Sequence, residues 1–444
     1  MGMAEGVEIV EKGLVLPGEA TPPDDIFLSN LDHLVARAHT PTVYFYRRPA
    51  EAGAGFFSPA LLRETLARAL VPFYPLAGRL AAGADGRIRI RCTGDGALFV
   101  VARSVSVLDD FGDFSPSDRL RRLLVPSVDV AGDADTPLVM LQLTFFRCGG
   151  VCLGAAVHHA AADGLGALHF VNSWANITGG HGIPEAPVLD RTVFRTRSPL
   201  SVTSNHVEYS QNPSPAAAAA AERPFESTIL KLSKKQLFIL KASSSTSNKP
   251  LSTFKAVVAY TWRCACVARG LGPENPTRLY MTADARTRLR QPLPASYLGN
   301  AIFRTSADAS VGELLSNPLC GAAKIDDATK RLDDEFVRSL VDYLEDKVGA
   351  AGLRKGSWVM PATDLWVISW LGLPIYEADF GWGKPFYMGR ACLQFSGLVY
   401  IVPSSPAEED VGMSLVVALE SGNMGRFKEV FYEDLKHVAE DSNL

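Results

Sequence analysis

The sequence has little of what marks a specialised class. Its seven cysteines in 444 residues are an odd, dispersed set (Cys92, Cys148, Cys152, Cys264, Cys266, Cys320, Cys392). They offer neither a disulfide framework nor a complete zinc site, and free thiols in a reducing compartment are expected. Basic charge is not in excess: 44 Lys and Arg against 48 Asp and Glu leave a formal net charge of −4. These charges are scattered rather than striped, which excludes nucleic acid as an expected partner. No apolar run reaches the roughly 18 residues of a membrane span, and no charged start leads into one, so no membrane is expected and a cytoplasmic location is. There is no internal repeat at a period of roughly 20 to 50 residues. The G-x-S-x-G elbow of serine hydrolases and the glycine-rich phosphate loop are missing as well.

What is present is the material of a large core. Hydrophobic residues make up 47% and charged residues 21%, the balance of a packed globular protein, and the length suggests two domains. Alternation predicts strands at Val7–Glu11, Thr42–Tyr46 and Arg87–Arg91, and more buried strands at Leu138–Phe146 and Val151–Val157. Ser58 with Pro59 opens a helix to Leu70. Between Gly179 and Pro224 the periodicity fades into Pro, Ser, Thr, Asn and an alanine run, as in an interdomain linker. Beyond it, strands are predicted at Ser227–Leu232, Thr277–Asp284, Gly397–Val402 and Gly412–Leu419. Helices are predicted from Ser233, over Thr253–Arg269, over Leu332–Lys347 and over Met424–His437. The organisation expected is an N-terminal domain over 1–180, a crossover linker over 181–224 and a C-terminal domain over 225–444, both domains mixed α/β.

The chemistry is concentrated in Val151-Cys-Leu-Gly-Ala-Ala-Val-His158-His159-Ala-Ala-Ala-Asp163-Gly164, where a buried strand runs into two histidines and an acid. A neutral imidazole can take the proton of a hydroxyl or amine as that group attacks a carbonyl. With an activated carbonyl such as a thioester, no covalent nucleophile is required. His159 and Asp163 are four residues apart, so on a helical turn the acid would share a face with the ring and orient it. Alternatively, Asp163 turns away to a distant arginine and holds the loop. His158 reads as structural. A metal site is not expected, since the histidines have no nearby cysteine or acidic cluster. Far downstream lies Asp379-Phe-Gly-Trp-Gly383, an Asp-stabilised turn whose glycines permit positive φ.

Together these motifs resemble the HxxxDG and DFGWG signatures of the BAHD acyltransferases. The resemblance runs along essentially the whole chain, through Ser29-Asn-Leu-Asp32, His39 to Tyr46, Leu70 to Leu80, Phe145 to Gly150, Asp284 to Leu289 and Tyr297-Leu-Gly-Asn300. It is greatest to the hydroxycinnamoyl-CoA shikimate/quinate branch. It implies two chloramphenicol-acetyltransferase-like α/β domains joined by a long crossover, with a solvent channel between them and His159 in its middle as the general base. Acyl-CoA is then a co-substrate, no cofactor is permanently bound, and a small-molecule alcohol or amine is the acceptor of a hydroxycinnamoyl group such as p-coumaroyl or caffeoyl. A monomer is expected. A catalytically silent CoA-binding relative is the alternative from another class.

The same resemblance assigns Asp163 to a structural pair with Arg286 beside Gly164, and gives Asp379, Gly381, Trp382 and Gly383 a structural role on the CoA side. It places His39, Thr40, Thr42 and Tyr44 around the acyl donor, with Ser252 and Thr253 as positional guesses for CoA at a helix start. On the acceptor side, shikimate users carry an arginine and a threonine where this chain has Lys355 and Ile368, while Trp370 is kept as a pocket wall or hydrogen-bond donor. Lysine is a point charge where arginine grips a carboxylate with two bonds, and isoleucine lacks the hydroxyl. A less polar or amine acceptor is expected to compete with shikimate, unless Arg354, one residue away, takes the place of the gripping arginine.

Overall fold

A computed structural model describes residues 6–441 except 52, 54, 128–134, 210–222, 244–250, 349–359 and 407. Fourteen strands occur among the described residues: β1 (Val7–Val15), β2 (His39–Tyr46), β3 (Arg79–Ala82), β4 (Ile88–Arg91), β5 (Ala97–Ser104), β6 (Val139–Phe146), β7 (Val151–His158), β8 (Phe225–Ser233), β9 (Pro276–Asp284), β10 (Ile302–Ser310), β11 (Leu365–Ser369), β12 (Tyr387–Arg390), β13 (Leu398–Pro403) and β14 (Val411–Glu420). They form one six-stranded sheet in the order β1-β5-β6-β7-β2-β12, a second in the order β10-β9-β11-β13-β14-β8, and the small pair β3-β4. Both large sheets are mixed: β5 runs parallel to β6, and β11 parallel to β9 and β13.

Strand periodicity explains why the central strands are apolar on both faces. Along β13, Leu398, Tyr400 and Val402 enter a core shared with the first half of the chain, whereas Val399 and Ile401 enter the core of the second half. Along β2, Tyr44 and Tyr46 face that shared core, and Val43 and Phe45 face a third cluster behind the sheet. Gly154 in β7 is required by close approach: a Cβ there would lie 1.8 Å from the Leu124 carbonyl oxygen.

Two features depart from the sequence reading. Tyr387–Arg390, within the stretch 225–444, pairs antiparallel with β2 and closes the edge of the first sheet. The stretch read as linker is not loose where it is described. Arg191, Phe194, His206 and Glu208 are buried, and Arg197 bonds both Asp342 and Glu335. The segment has no long periodicity because its described residues form only two short 3-10 turns, Thr192–Phe194 and Val207–Tyr209, yet it packs as a strap. No helix of the described residues is long and apolar enough to cross a membrane.

Candidate active site

His159 follows the last residue of β7, in the turn that connects it to the helix Gly164–Thr178. Its amide donates to the Ala38 carbonyl at 3.0 Å. Asp163 caps the helix and also receives an arginine. Its Oδ1 accepts from the Gly166 amide at 3.0 Å and from Arg286 Nη2 at 3.0 Å, while Oδ2 accepts from Arg286 Nη1 at 2.8 Å and the Ala301 amide at 3.1 Å. Both groups are buried, and the bidentate geometry is that of a strong charge-assisted pair. Four donors occupy the carboxylate, so it faces Arg286 and the helix start rather than the His159 ring.

A second buried ion pair, which the sequence reading missed, grips the same turn. Arg191 Nη1 lies 3.0 Å from Asp32 Oδ1. From the same guanidinium, Nη2 donates to the Ala161 carbonyl at 2.7 Å and Nη1 to that of Ala160 at 3.3 Å. Asp32 Oδ1 also accepts from the amide of Asn300 at 2.8 Å and from its side chain at 3.0 Å, and Asn300 Nδ2 donates to the His159 carbonyl at 2.8 Å. Only the family resemblance of Ser29–Asp32 and Tyr297–Asn300 hinted at this network. Nothing marked Arg191, which stands alone in an aperiodic stretch.

The His159 ring is partly exposed, but its Nδ1 is buried without a well-formed hydrogen bond. That leaves Nε2 as the nitrogen able to exchange a proton with a substrate. Burial is the main cause that holds its pKa below the ordinary histidine value, and the charge of Arg390 adds to this. Its own backbone carbonyl, Asp163 and Asn300 act the other way. The imidazole is therefore neutral at neutral pH, the state a base requires. Burial, with the neighbouring His39 and His159, brings His158 down to about 3. Its Nδ1 accepts from the Ala160 amide at 3.3 Å, so it shapes the turn.

A smaller cavity adjoins the turn through Ala162, Asp163 and Gly164, and a larger one is next to it; His159 itself lines neither. The smaller, about 40 Å³, is walled by Thr40, Thr42, Tyr44, Asp163, Gly164, Trp370 and Met388, among others. The larger, about 280 Å³, shares Trp370 and Met388 and extends past Arg390, Tyr387 and Tyr400 between the sheets. A Cβ on Gly164 would sit 4.0 Å from the Trp370 indole nitrogen, so a side chain there would narrow the space between them.

Thr40, Thr42, Tyr44 and Trp370 are thus brought together beside the His159 turn. His39 is not among these lining residues. One residue out of phase with Thr40 on the strand, its ring meets His158 edge-on at 5.1 Å and lies 2.8 Å from the Pro137 carbonyl. Ile368 packs partly buried against the shared core rather than lining either cavity. Ser252 caps the helix Thr253–Ala268 through the Lys255 amide, and neither Ser252 nor Thr253 lines either cavity. Lys355 lies outside the described residues. Asp379 Oδ1 accepts from the Gly381 and Gly383 amides at 2.8 and 2.9 Å, both glycines having positive φ. Phe380 meets Trp174 edge-on at 4.8 Å, and Trp382 lies 5.0 Å from Phe57.

A model of the transferase family matches residues 5–434. The chain is 57% identical to putrescine hydroxycinnamoyltransferase 1 of Oryza sativa subsp. japonica, over 97% of this chain and 99% of that one. The chain belongs to the BAHD acyltransferase family. It is 40% identical to shikimate O-hydroxycinnamoyltransferase of Nicotiana tabacum over 96% of this chain and 99% of the relative. The crystal structure of vinorine synthase covers 95% of this chain and 96% of its own, with a TM-score of 0.73 at 22% identity, a likeness of fold. As a BAHD member the chain is an acyl-CoA-dependent acyltransferase, which agrees with an activated thioester meeting a neutral histidine without a covalent nucleophile.

Proposed function

We propose that this BAHD enzyme transfers a hydroxycinnamoyl group from CoA to an aliphatic amine, with His159 as the general base. The full-length likeness to the putrescine enzyme, against the lower likeness to the shikimate enzyme, carries the acceptor assignment. Lys355 and Ile368, where shikimate users are expected to carry an arginine and a threonine, agree with it at the level of sequence. In the reaction, the amine nitrogen attacks the thioester carbonyl while His159 Nε2 takes its proton. The carbonyl oxygen becomes an oxyanion, for which the Trp370 indole N–H is the donor at hand. Collapse of this intermediate expels CoA thiolate, which recovers the proton from His159, and an amide remains. Asp163 and Arg286 hold the turn and take no proton. In the same reading Asp379, Gly381, Trp382 and Gly383 have a structural role on the CoA side, and the enzyme works as a cytoplasmic monomer without a permanent cofactor.

The test is a panel of putrescine, shikimate and quinate with p-coumaroyl-CoA, read by CoA release and product mass. The amide of putrescine should form with the highest kcat/KM. A kcat/KM for shikimate equal to or above that of every amine would overturn the acceptor assignment.

A further inference from the structure

Four other arginines keep their side chains largely out of water: three of them meet a carboxylate, and the fourth is satisfied by backbone carbonyls. Arg191 meets Asp32 at 3.0 Å, Arg286 meets Asp163 at 2.8 Å, Arg269 meets Glu420 at 3.0 Å, and Arg79 donates to the Gly78 and Gly96 carbonyls at 2.8 and 3.0 Å. Arg390 is 4% exposed. Its Nε is buried with no acceptor, as is that of Arg191 and of Arg286, but among the described residues no carboxylate pairs with its guanidinium. Its guanidinium lies 5.5 Å from the Tyr400 ring centroid, on the wall of the larger cavity. A buried cation without an anion is costly to keep, so a group present only part of the time is the natural counterpart.

The register of β12 shows where that group would lie. Arg390 stands directly opposite Thr42, and Met388 opposite Tyr44. Directly opposed residues project from the same face of a sheet. Arg390 is therefore on the face that carries Thr42 and Tyr44, next to Met388 and across from Trp370. The smaller cavity, about 40 Å³, is well under the roughly 150 Å³ that accommodates a benzene ring. The larger, about 280 Å³, exceeds it. An aromatic acyl group therefore has its space where Arg390 is, among aromatic walls.

We propose that Arg390 is a specificity-determining residue that donates to the ring oxygen of the acyl group, selecting phenolic over unsubstituted cinnamoyl donors. This rests on the hydroxycinnamoyl reading above. A phenol oxygen is an acceptor for a guanidinium and becomes more acidic beside one, so the bond strengthens as the phenol gains anionic character. Its charge also opposes protonation of His159, which favours a neutral base.

The experiment compares kcat/KM for p-coumaroyl-CoA and cinnamoyl-CoA, which lacks the ring oxygen, at saturating putrescine in wild type, R390M and R390K. Wild type should prefer p-coumaroyl-CoA at least tenfold. R390M should lose about 10- to 100-fold on p-coumaroyl-CoA, the range for a hydrogen bond to a charged group, and less than threefold on cinnamoyl-CoA. R390K should recover part of the preference. Equal losses on both donors would overturn the proposal in favour of a contact with the thioester or the acceptor, and no loss on either would show Arg390 to be idle. If R390M does not fold, R390K and wild type still decide, because a wild type that uses both donors equally has no ring-oxygen contact. That outcome leaves the hydroxycinnamoyl reading standing. A wild type that turns over neither donor, while accepting an aliphatic acyl-CoA, overturns both.

Discussion

The two signature loops look alike in sequence, each an aspartate with glycines beside bulky apolar residues, but they are held by different physics. The His159 turn is fixed from a distance. Asp163 is bridged to Arg286 and Asp32 to Arg191, so groups far apart in the chain converge on five residues. At Asp379–Gly383 the polar anchor is local: among the described residues the carboxylate accepts from amides two and four residues on, and only apolar packing, of Trp382 on Phe57 and Phe380 on Trp174, ties the turn to distant segments. A loop that must keep a proton-transferring atom in place against a moving substrate gains from rigid, long-range anchors. For a loop that lines neither cavity, side-chain packing is enough.

The largest effect separates the base from its supports. His159→Ala should lower kcat by about 10²- to 10⁴-fold with little change in melting temperature, because the side chain makes no hydrogen bond that holds the turn. Stopped-flow CoA release and calorimetry on the same sample test both halves. A variant that retains more than a tenth of wild-type kcat would remove His159 from the role of base.

Next in size is the contrast between the aspartates. Asp163→Ala leaves the buried Arg286 with only the more exposed Asp284, 3.3 Å away, and should cost roughly 3 kcal/mol of stability, the lower end of the range for a broken buried pair. Asp379→Ala uncaps two amides in a more exposed turn and should cost about 0.5 to 2 kcal/mol. Denaturant unfolding of the two variants, with kcat measured under native conditions, sharpens the comparison. It breaks if Asp163→Ala unfolds like wild type yet loses kcat, since the acid would then be acting on the His159 ring.

How legible these loops were follows from the same difference. The strand into His159 and the Asp379 turn are local patterns, an apolar run and an Asp-Gly turn, and the sequence displays them directly. The anchors are not local. Asp32, Arg191 and Asn300 have no periodicity in common, and only the fold brings them together. The strand β12 escapes a pattern search because four residues containing a glycine and ending in arginine do not read as a strand. It forms because β2 offers a free edge for it. Arg390 could not be singled out from sequence at all, since its distinction is the lack of a partner.

The smallest effect is acid sensitivity, and of the two loops only the first contributes to it. The Asp379–Gly383 turn contains no histidine, whereas His39, His158 and His159 all flank or form the other turn with pKa values held below the ordinary one, chiefly by burial. The strap adds His206, lowered to about 4 by burial and by the charge of Arg331. In the unfolded chain these rings take up protons near pH ~6.5. In the folded enzyme His158 does so only near about 3 and His206 near about 4. Between these limits the unfolded state binds more protons, so stability rises with pH and is lost progressively as pH falls below ~6.5. The depressed carboxylates begin to contribute only at lower pH, near or below ~4.3, which leaves the interval from about 6.5 to 5 to the histidines. Calorimetry should therefore show the melting temperature falling steadily from pH 7 to pH 5, and His206→Asn should flatten that slope. Activity should behave differently: with His159 held neutral, the acid limb of kcat/KM should lie below pH ~6.5, so the enzyme is still active where it has begun to lose stability. A melting temperature that stays level from pH 7 to pH 5, or an acid limb at or above pH ~6.5, would mean that the rings around His159 are in contact with water and that the turn is looser than its ion pairs imply.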